Sequence, residues 1–380
     1  MSTQSIGLRG PFAAACAGLL LAATACGTAI SPQATSSPMN AASSASEAPR
    51  TITLAFGGDV HFEEYVAGLL TDPDHALSDL RPTLGAADFS MVNLETAITT
   101  GGEREDKSFT FRAPPTALQA LAAAGVDAVS LANNHAVDFG TVGLTDTLAA
   151  KATSPIPIVG IGHDTREAYQ PYVVDVKGVR VALLAALQLW EETATRHSAA
   201  DGQAGVATSQ TPAALTLLRE ATREAAATAD LVVVMMHWGT EYATCADAAQ
   251  SATVRALEAD GADIIVGGHA HRLQGGGWSG RSYVGYALGN FVWWRSTEPE
   301  ARSGVLTLTA DADAARSRGR SSGAERLTDT SLITRAEWQP MLIGADGVPR
   351  PAAEEATTQR LRGVWDAAVA CSGLSTAPPP

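Results

Sequence analysis

Positive charge is scarce in this sequence. Lys and Arg number 26 against 40 Asp and Glu over 380 residues, a formal net charge of −14, and the cations gather into no run. Nucleic acid is held through basic surface, so it is excluded as a partner. Charge of either sign is thin, 17% of residues, while apolar types make up 46%. That balance excludes a globally disordered chain and supplies a large core. The chain has no Gly-x-x-x-x-Gly-Lys-Ser/Thr phosphate loop and no repeat at solenoid periods. Cysteine is rare too, with 4 in all.

What is present begins with a targeting segment. Arg9 precedes an apolar stretch over residues 11–25, too short to span a bilayer as a helix and suited to the hydrophobic region of a secretory signal. It ends in Ala23-Thr24-Ala25, followed by Cys26 and Gly27. This resembles a bacterial lipoprotein signal, with Ala23 where that class usually has Leu. The resemblance implies cleavage after residue 25, lipidation of Cys26 and a membrane-anchored protein at the cell surface; ordinary secretion is the alternative. Residues 26–50, rich in Ser, Ala, Thr and Pro, read as a flexible tether. With Cys26 lipidated, Cys245 and Cys371 remain as an even pair, and an oxidising compartment favours a disulfide between them.

Strand and helix patterns alternate from residue 51 onward. Strands are expected over 89–94, 128–131, 156–160, 179–187, 231–236, 264–266, 283–287, 304–309 and 332–342, and helices over 115–124, 142–152, 212–227 and 246–259. Such alternation predicts an α/β domain with helices on the sheet faces. We place it at 51–351, with a C-terminal helix and tail over 352–380. The glycine run 275–277 is expected to be a turn, and 311–330 a polar loop.

The chemically capable residues fall just after strands, where open α/β sheets bind ligands. They are Asp59 and His61 after Gly58; Asn93 and Glu95; Asn133, Asn134, His135 and Asp138; His237 and Glu241; and His269 and His271 after Gly267-Gly268. Five of the 8 histidines lie in these motifs. His75, His163 and His197 sit in polar loops without evident acidic partners and are expected at the surface. Imidazole, carboxylate and amide donors suit Mn, Fe, Zn, Co or Ni. The candidates exceed what one ion needs, so two divalent ions sharing a carboxylate are expected. Trp293 and Trp294 either pack in the core or wall the pocket.

The ordered series Gly-Asp-x-His, a bridging acid, Asn-His, a later His and Gly-His-x-His resembles the calcineurin-like metallophosphoesterase superfamily. The spellings Asn93-Leu94-Glu95, Asn134-His135-Ala-Val-Asp138-Phe-Gly140, His237-Trp238-Gly239-Thr240-Glu241 and Leu288-Gly289-Asn290-Phe291 resemble its capsule-synthesis branch, the CapA or poly-γ-glutamate family. The likeness spans residues 51–295. It implies a four-layer α-β-β-α sandwich of two mixed sheets. It implies one metal on Asp59, His61 and His271 and another on Asn134, His237 and His269, with Glu95 bridging where the superfamily usually has Asp. His135 would give a proton to the leaving group, with Asp138 orienting it; Arg112, Glu241 and Asn290 would bind substrate. The implied role is synthesis, anchoring or trimming of an anionic surface polymer by a metal-dependent hydrolase or transferase, in a capsule-synthesis membrane complex. A phosphoesterase on a small exported substrate and a non-catalytic scaffold are the rivals.

Overall fold

The strands that carry the motifs are apolar at nearly every position. Phe89–Leu94 and Leu231–Trp238 are buried throughout, and strands of this kind need cover on both faces. The computed structural model describes residues 50–318 and 330–379 and supplies that cover with two sheets. The expected signal segment, Cys26 and the tether up to residue 49 lie outside the described residues.

The first sheet opens with four parallel strands, β1 (Thr51–Val60), β2 (Phe89–Leu94), β3 (Ala128–Ser130) and β4 (Ile158–Val159). The second holds β5 (Tyr172–Val176), β6 (Val179–Gln188), β7 (Leu231–Trp238), β8 (Ile264–Gly268), β9 (Leu273–Ser279) and β10 (Ser282–Leu288), in the order β9-β10-β8-β7-β6-β5. Its four middle strands run parallel and its two edges antiparallel. The chain then returns to the first sheet with β11 (Asn290–Val292), β12 (Arg302–Asp311), β13 (Ile333–Ile343) and β14 (Pro349–Pro351). There the order is β14-β13-β12-β1-β2-β3-β4, with β11 also on β1 beside Asp59 and Val60.

Alternation along each strand sorts side chains between two layers. Leu54, Phe56 and Met91 of the first sheet meet Val233, Met235, Ile264 and Val266 of the second in one buried cluster, so the sheets pack face to face. The intervening Ala55, Val92 and Leu94 pack with Leu118, Leu121, Leu144 and Leu148, which belong to helices α1 (Thr116–Ala123) and α2 (Gly140–Thr153). On the far side, Val232, Val234 and Ile265 meet Leu218, Val254 and Leu257 of α3 (Pro212–Thr228) and α4 (Ala248–Ala259). The result is a four-layer α-β-β-α sandwich of two mixed sheets. Thr211 caps α3 ahead of Pro212, and Asp247 with Gln250 forms a capping box on α4.

Three expectations change. The glycine run 275–277 is not a turn but the middle of β9. Its glycines serve close backbone approach: a Cβ on Gly275 (φ +73°) would lie 2.5 Å from the Val369 nitrogen, and one on Gly277 would lie 2.4 Å from the Ser375 oxygen. The strand expected over 156–160 shortens to Ile158–Val159, because Gly160 leaves extended geometry at φ +85°. Part of the polar loop is helical, Ala312–Arg318, with Ala312 and Ala315 buried; residues 319–329 lie outside the described ones.

The last helix, α5 (Glu355–Ser372), packs within the same compact unit as both sheets. Leu361 and Trp365 are buried, and Trp365 stacks on Trp338 of β13 at 4.8 Å. Cys371 on this helix is disulfide-bonded to Cys245, 126 residues earlier. Among the described residues, no helix is long and apolar enough to cross a membrane.

Candidate metal centre

The parallel strands of both sheets deliver their final residues to one point. Asp59 is the last residue but one of β1 and pairs in register with Asn93 of β2 on one side and Asn290 of β11 on the other. His237 sits near the end of β7, opposite Gly268 of β8. Two glycines permit this convergence: a Cβ on Gly58 would fall 1.9 Å from the Gly289 oxygen, and one on Gly268 would fall 2.1 Å from Asp59 Oδ1. His269 and His271 both adopt positive φ, 84° and 51°, a strained conformation of the kind that persists where surrounding structure holds it.

Two groups of donor atoms converge, each within 4.8 Å: Glu95, His237 and His269, and Asp59, Glu95 and His271. Glu95 belongs to both. Its Oε1 and Oε2, together with His61 Nε2 and His269 Nδ1, are buried without a hydrogen-bond partner. Leaving four such atoms unsatisfied would be costly, and all four are of types that ligate divalent cations. The residues therefore fit a metal centre. Asn134 joins the Glu95–His237–His269 side, its Oδ1 accepting from His237 Nε2 at 2.8 Å. His61 stands apart from both converging groups. Its Nδ1 accepts the Glu63 amide at 3.0 Å, and its ring lies 4.6 Å from Phe111 and 4.0 Å from Trp293.

Burial sets the electrostatics. It pushes the Asp59 carboxyl up to about 7, with the Glu95 charge adding to the rise. It pushes Glu95 up to about 8 against the opposing pull of His135. It lowers His237 to about 4 and His271 to about 3, and takes His61 and His269 well below the ordinary imidazole value. Without cations, burial favours the protonated carboxyls and the neutral imidazoles. A cation that displaces those protons meets anionic oxygens and neutral ring nitrogens, the forms that ligate.

His135 lies beside this cluster, its Nε2 3.7 Å from Glu95 Oε1. Its Nδ1 is 2.5 Å from Asp138 Oδ2. Asp138 in turn accepts the Phe111 amide at 2.7 Å and the Lys107 ammonium at 2.6 Å, and Phe111 stacks on the His135 ring at 4.0 Å.

Some of the expected residues serve differently. Arg112 is outside the cluster: its guanidinium lies 4.7 Å over the Phe139 ring and lines a separate hollow with Glu63, Glu64 and Thr99. Asn290 is fully buried, and its Oδ1 meets His271 Nδ1 at 2.8 Å, so it orients a histidine as well as bordering the cleft. Glu241 is exposed at the cleft mouth. Trp293 is buried yet edges both His61 and His271, so it packs and walls the pocket at once. The three outlying histidines do have acidic partners: Asp72 for His75, Glu167 for His163 and Glu105 for His197. Of these, His197 is only half-exposed.

Lys107 was not singled out in the sequence, and Asn93 was named there without a role of its own. A lysine in a polar loop carries no positional signal. Asn93 was visible beside Glu95, but its work is tertiary: it donates to Asp59 Oδ1 at 2.8 Å and sits 3.1 Å from His237 Nδ1.

Comparison with known proteins gives a consistent match. Residues 53–293 fit the family described as bacterial capsule synthesis protein PGA_cap. The capsule biosynthesis protein CapA of Bacillus anthracis is 30% identical over 259 residues, covering 66% of this chain and 62% of that protein. The PGA biosynthesis protein CapA of Bacillus subtilis is 28% identical over 257 residues, covering 66% of each. The match thus spans just under two thirds of these relatives' length. Among solved structures, a phosphatase from Mycoplasma pneumoniae aligns at 16% identity and a TM-score of 0.46, covering 77% of this chain and 94% of that one.

Proposed function

The chain belongs to the bacterial capsule synthesis protein family, and from that premise we propose that its strand-end cluster is a two-metal centre. The centre serves a hydrolase or transferase that makes, anchors or trims a surface polymer such as poly-γ-glutamate. The observation that carries this reading is Glu95: both its oxygens are buried and unpartnered, and it is common to two converging donor groups. One ion would take Asp59, His271 and His61, the other His237, His269 and Asn134, with Glu95 between them; Mn, Fe, Zn or Co suits these donors. Two bound ions supply Lewis acidity and an activated water.

The chain's own residues do the rest. Asp138 holds the His135 ring through Nδ1, with Lys107 and the Phe111 amide fixing the carboxylate. His135 Nε2 is then free to give a proton to the departing group. Neither arrangement is needed by a passive scaffold. The bond broken is an amide or a phosphoester. In the cell, the protein is exported, tethered to the membrane by lipidated Cys26, and works on an anionic polymer beside a membrane-bound synthesis complex.

Elemental analysis of the metal-reconstituted protein is expected to give two divalent ions per chain. One ion or none sinks the two-metal reading. Parallel assays on phosphoesters and γ-glutamyl amides then test for hydrolysis, and a metal-loaded protein inert toward all of them leaves only a binding role.

A further inference from the structure

The cleft above the cluster divides into two recesses that meet at the reacting position. His271 lies in the first, walled by Phe109, Tyr242, Trp293, Trp294 and Arg295. Asn134 and His269 lie in the second, walled by Leu189, Trp190, Glu191 and Lys107. Among the described residues, only Phe109, His135 and Glu241 line both. The two proposed metal positions therefore open into different recesses, and the proton donor stands at the junction. A terminal group needs one recess for its single substituent; this site offers two.

The walls have a common character. Six large apolar side chains are exposed among the described residues, and three of them, Phe109, Trp190 and Tyr242, line these recesses. Trp190 is 75% exposed, so core packing does not account for it, whereas a flat apolar substituent would cover it.

Charge does not separate the two classes, because the cations proposed above would meet a monoester dianion or a diester monoanion alike. The distinction rests on the two recesses and their apolar walls.

We infer that the substrate is a phosphodiester, with one of its two substituents in each recess, and not a terminal phosphate. The inference rests on the hydrolase reading above. The water oxygen bonds to phosphorus, and the bond from phosphorus to one ester oxygen breaks. That oxygen takes the His135 proton and leaves as an alcohol. The water proton passes to solvent, His135 is reprotonated from solvent, and a monoester remains.

The test uses the metal-reconstituted protein and three substrates with one leaving group: p-nitrophenyl phosphate, methyl p-nitrophenyl phosphate and phenyl p-nitrophenyl phosphate. Both diesters are expected to exceed the monoester in kcat/KM. The phenyl diester is expected to exceed the methyl one by about tenfold or more, the scale of an added apolar contact in a pocket. Trp190→Ala and Tyr242→Ala should each lower kcat/KM for the phenyl diester by about tenfold. One of the two should erase the phenyl advantage, and Trp190→Phe should keep most of the activity that Trp190→Ala loses. Preference for the monoester overturns the inference, as does a phenyl advantage that is absent or survives both substitutions. Turnover of γ-glutamyl amides alone also overturns it while sparing the hydrolase reading. No turnover of any substrate removes both.

Discussion

His135 and His271 face one cleft but answer to different neighbours. His135 is held by Asp138, whereas His271 shares a donor group with Asp59 and Glu95. His135→Ala is therefore expected to keep both metals and lose about 10²–10⁴-fold in turnover, the usual scale of general acid catalysis. His271→Ala should lower metal content itself. A nitrophenolate leaving group, which needs little protonation, should partly rescue the first variant and not the second. Metal loss in His135→Ala would refute its assigned role. The raised carboxyls give a second expectation. In the metal-free fold Asp59 and Glu95 keep protons up to about 7 and 8, whereas unfolded carboxyls shed theirs near pH 4. The native state thus binds more protons, and stability falls as pH rises through that window. The depressed imidazoles act only below about pH 6.5, where the unfolded rings take up protons. The thermal midpoint of chelator-treated protein should fall from about pH 6.5 to 8.5, and the gain on adding Mn²⁺ should be larger at the upper end. A flat or rising midpoint would count against protonated carboxyls in the native cluster.

At the scale of elements, the strands that bear the site were readable because nearly every inward and outward position is apolar. The donors were readable because acids and histidines stand out at the ends of such strands. β9 was misread for a tertiary reason: its glycines answer to the backbone of α5 and the segment after it, far off in sequence. Arg112 lies away from the donor cluster, and its position beside Phe111 says nothing about which way its side chain turns. Lys107 and Trp190 were invisible, since each has meaning only against residues on other loops. The docking of α5 carries its own expectation. Removing the Cys245–Cys371 bond should cost about 2–5 kcal/mol, the range for loss of a native disulfide, read from denaturant unfolding of Cys371→Ser against the parent. A change within error would mean that Trp365 and Leu361 hold the helix unaided.

For the whole molecule, the proposed signal and Cys26 make location a testable matter. If Cys26 is lipidated, Cys26→Ala should move the protein from the membrane fraction to the medium; unchanged membrane association would remove the lipid anchor. The disulfide adds a matter of timing. Cys245 lies in the loop that carries Glu241 and Tyr242 to the cleft mouth, and Cys371 follows every strand of both sheets in the chain. The clamp on that loop can close only after both sheets have been synthesised, and only where thiols oxidise. A copy retained in the reducing cytosol would have its ligands in place and its cleft mouth still loose. If the protein is exported as proposed, maturation of the mouth is tied to leaving the cell's interior, and the proposed hydrolase would stay quiet until it reaches an oxidising compartment.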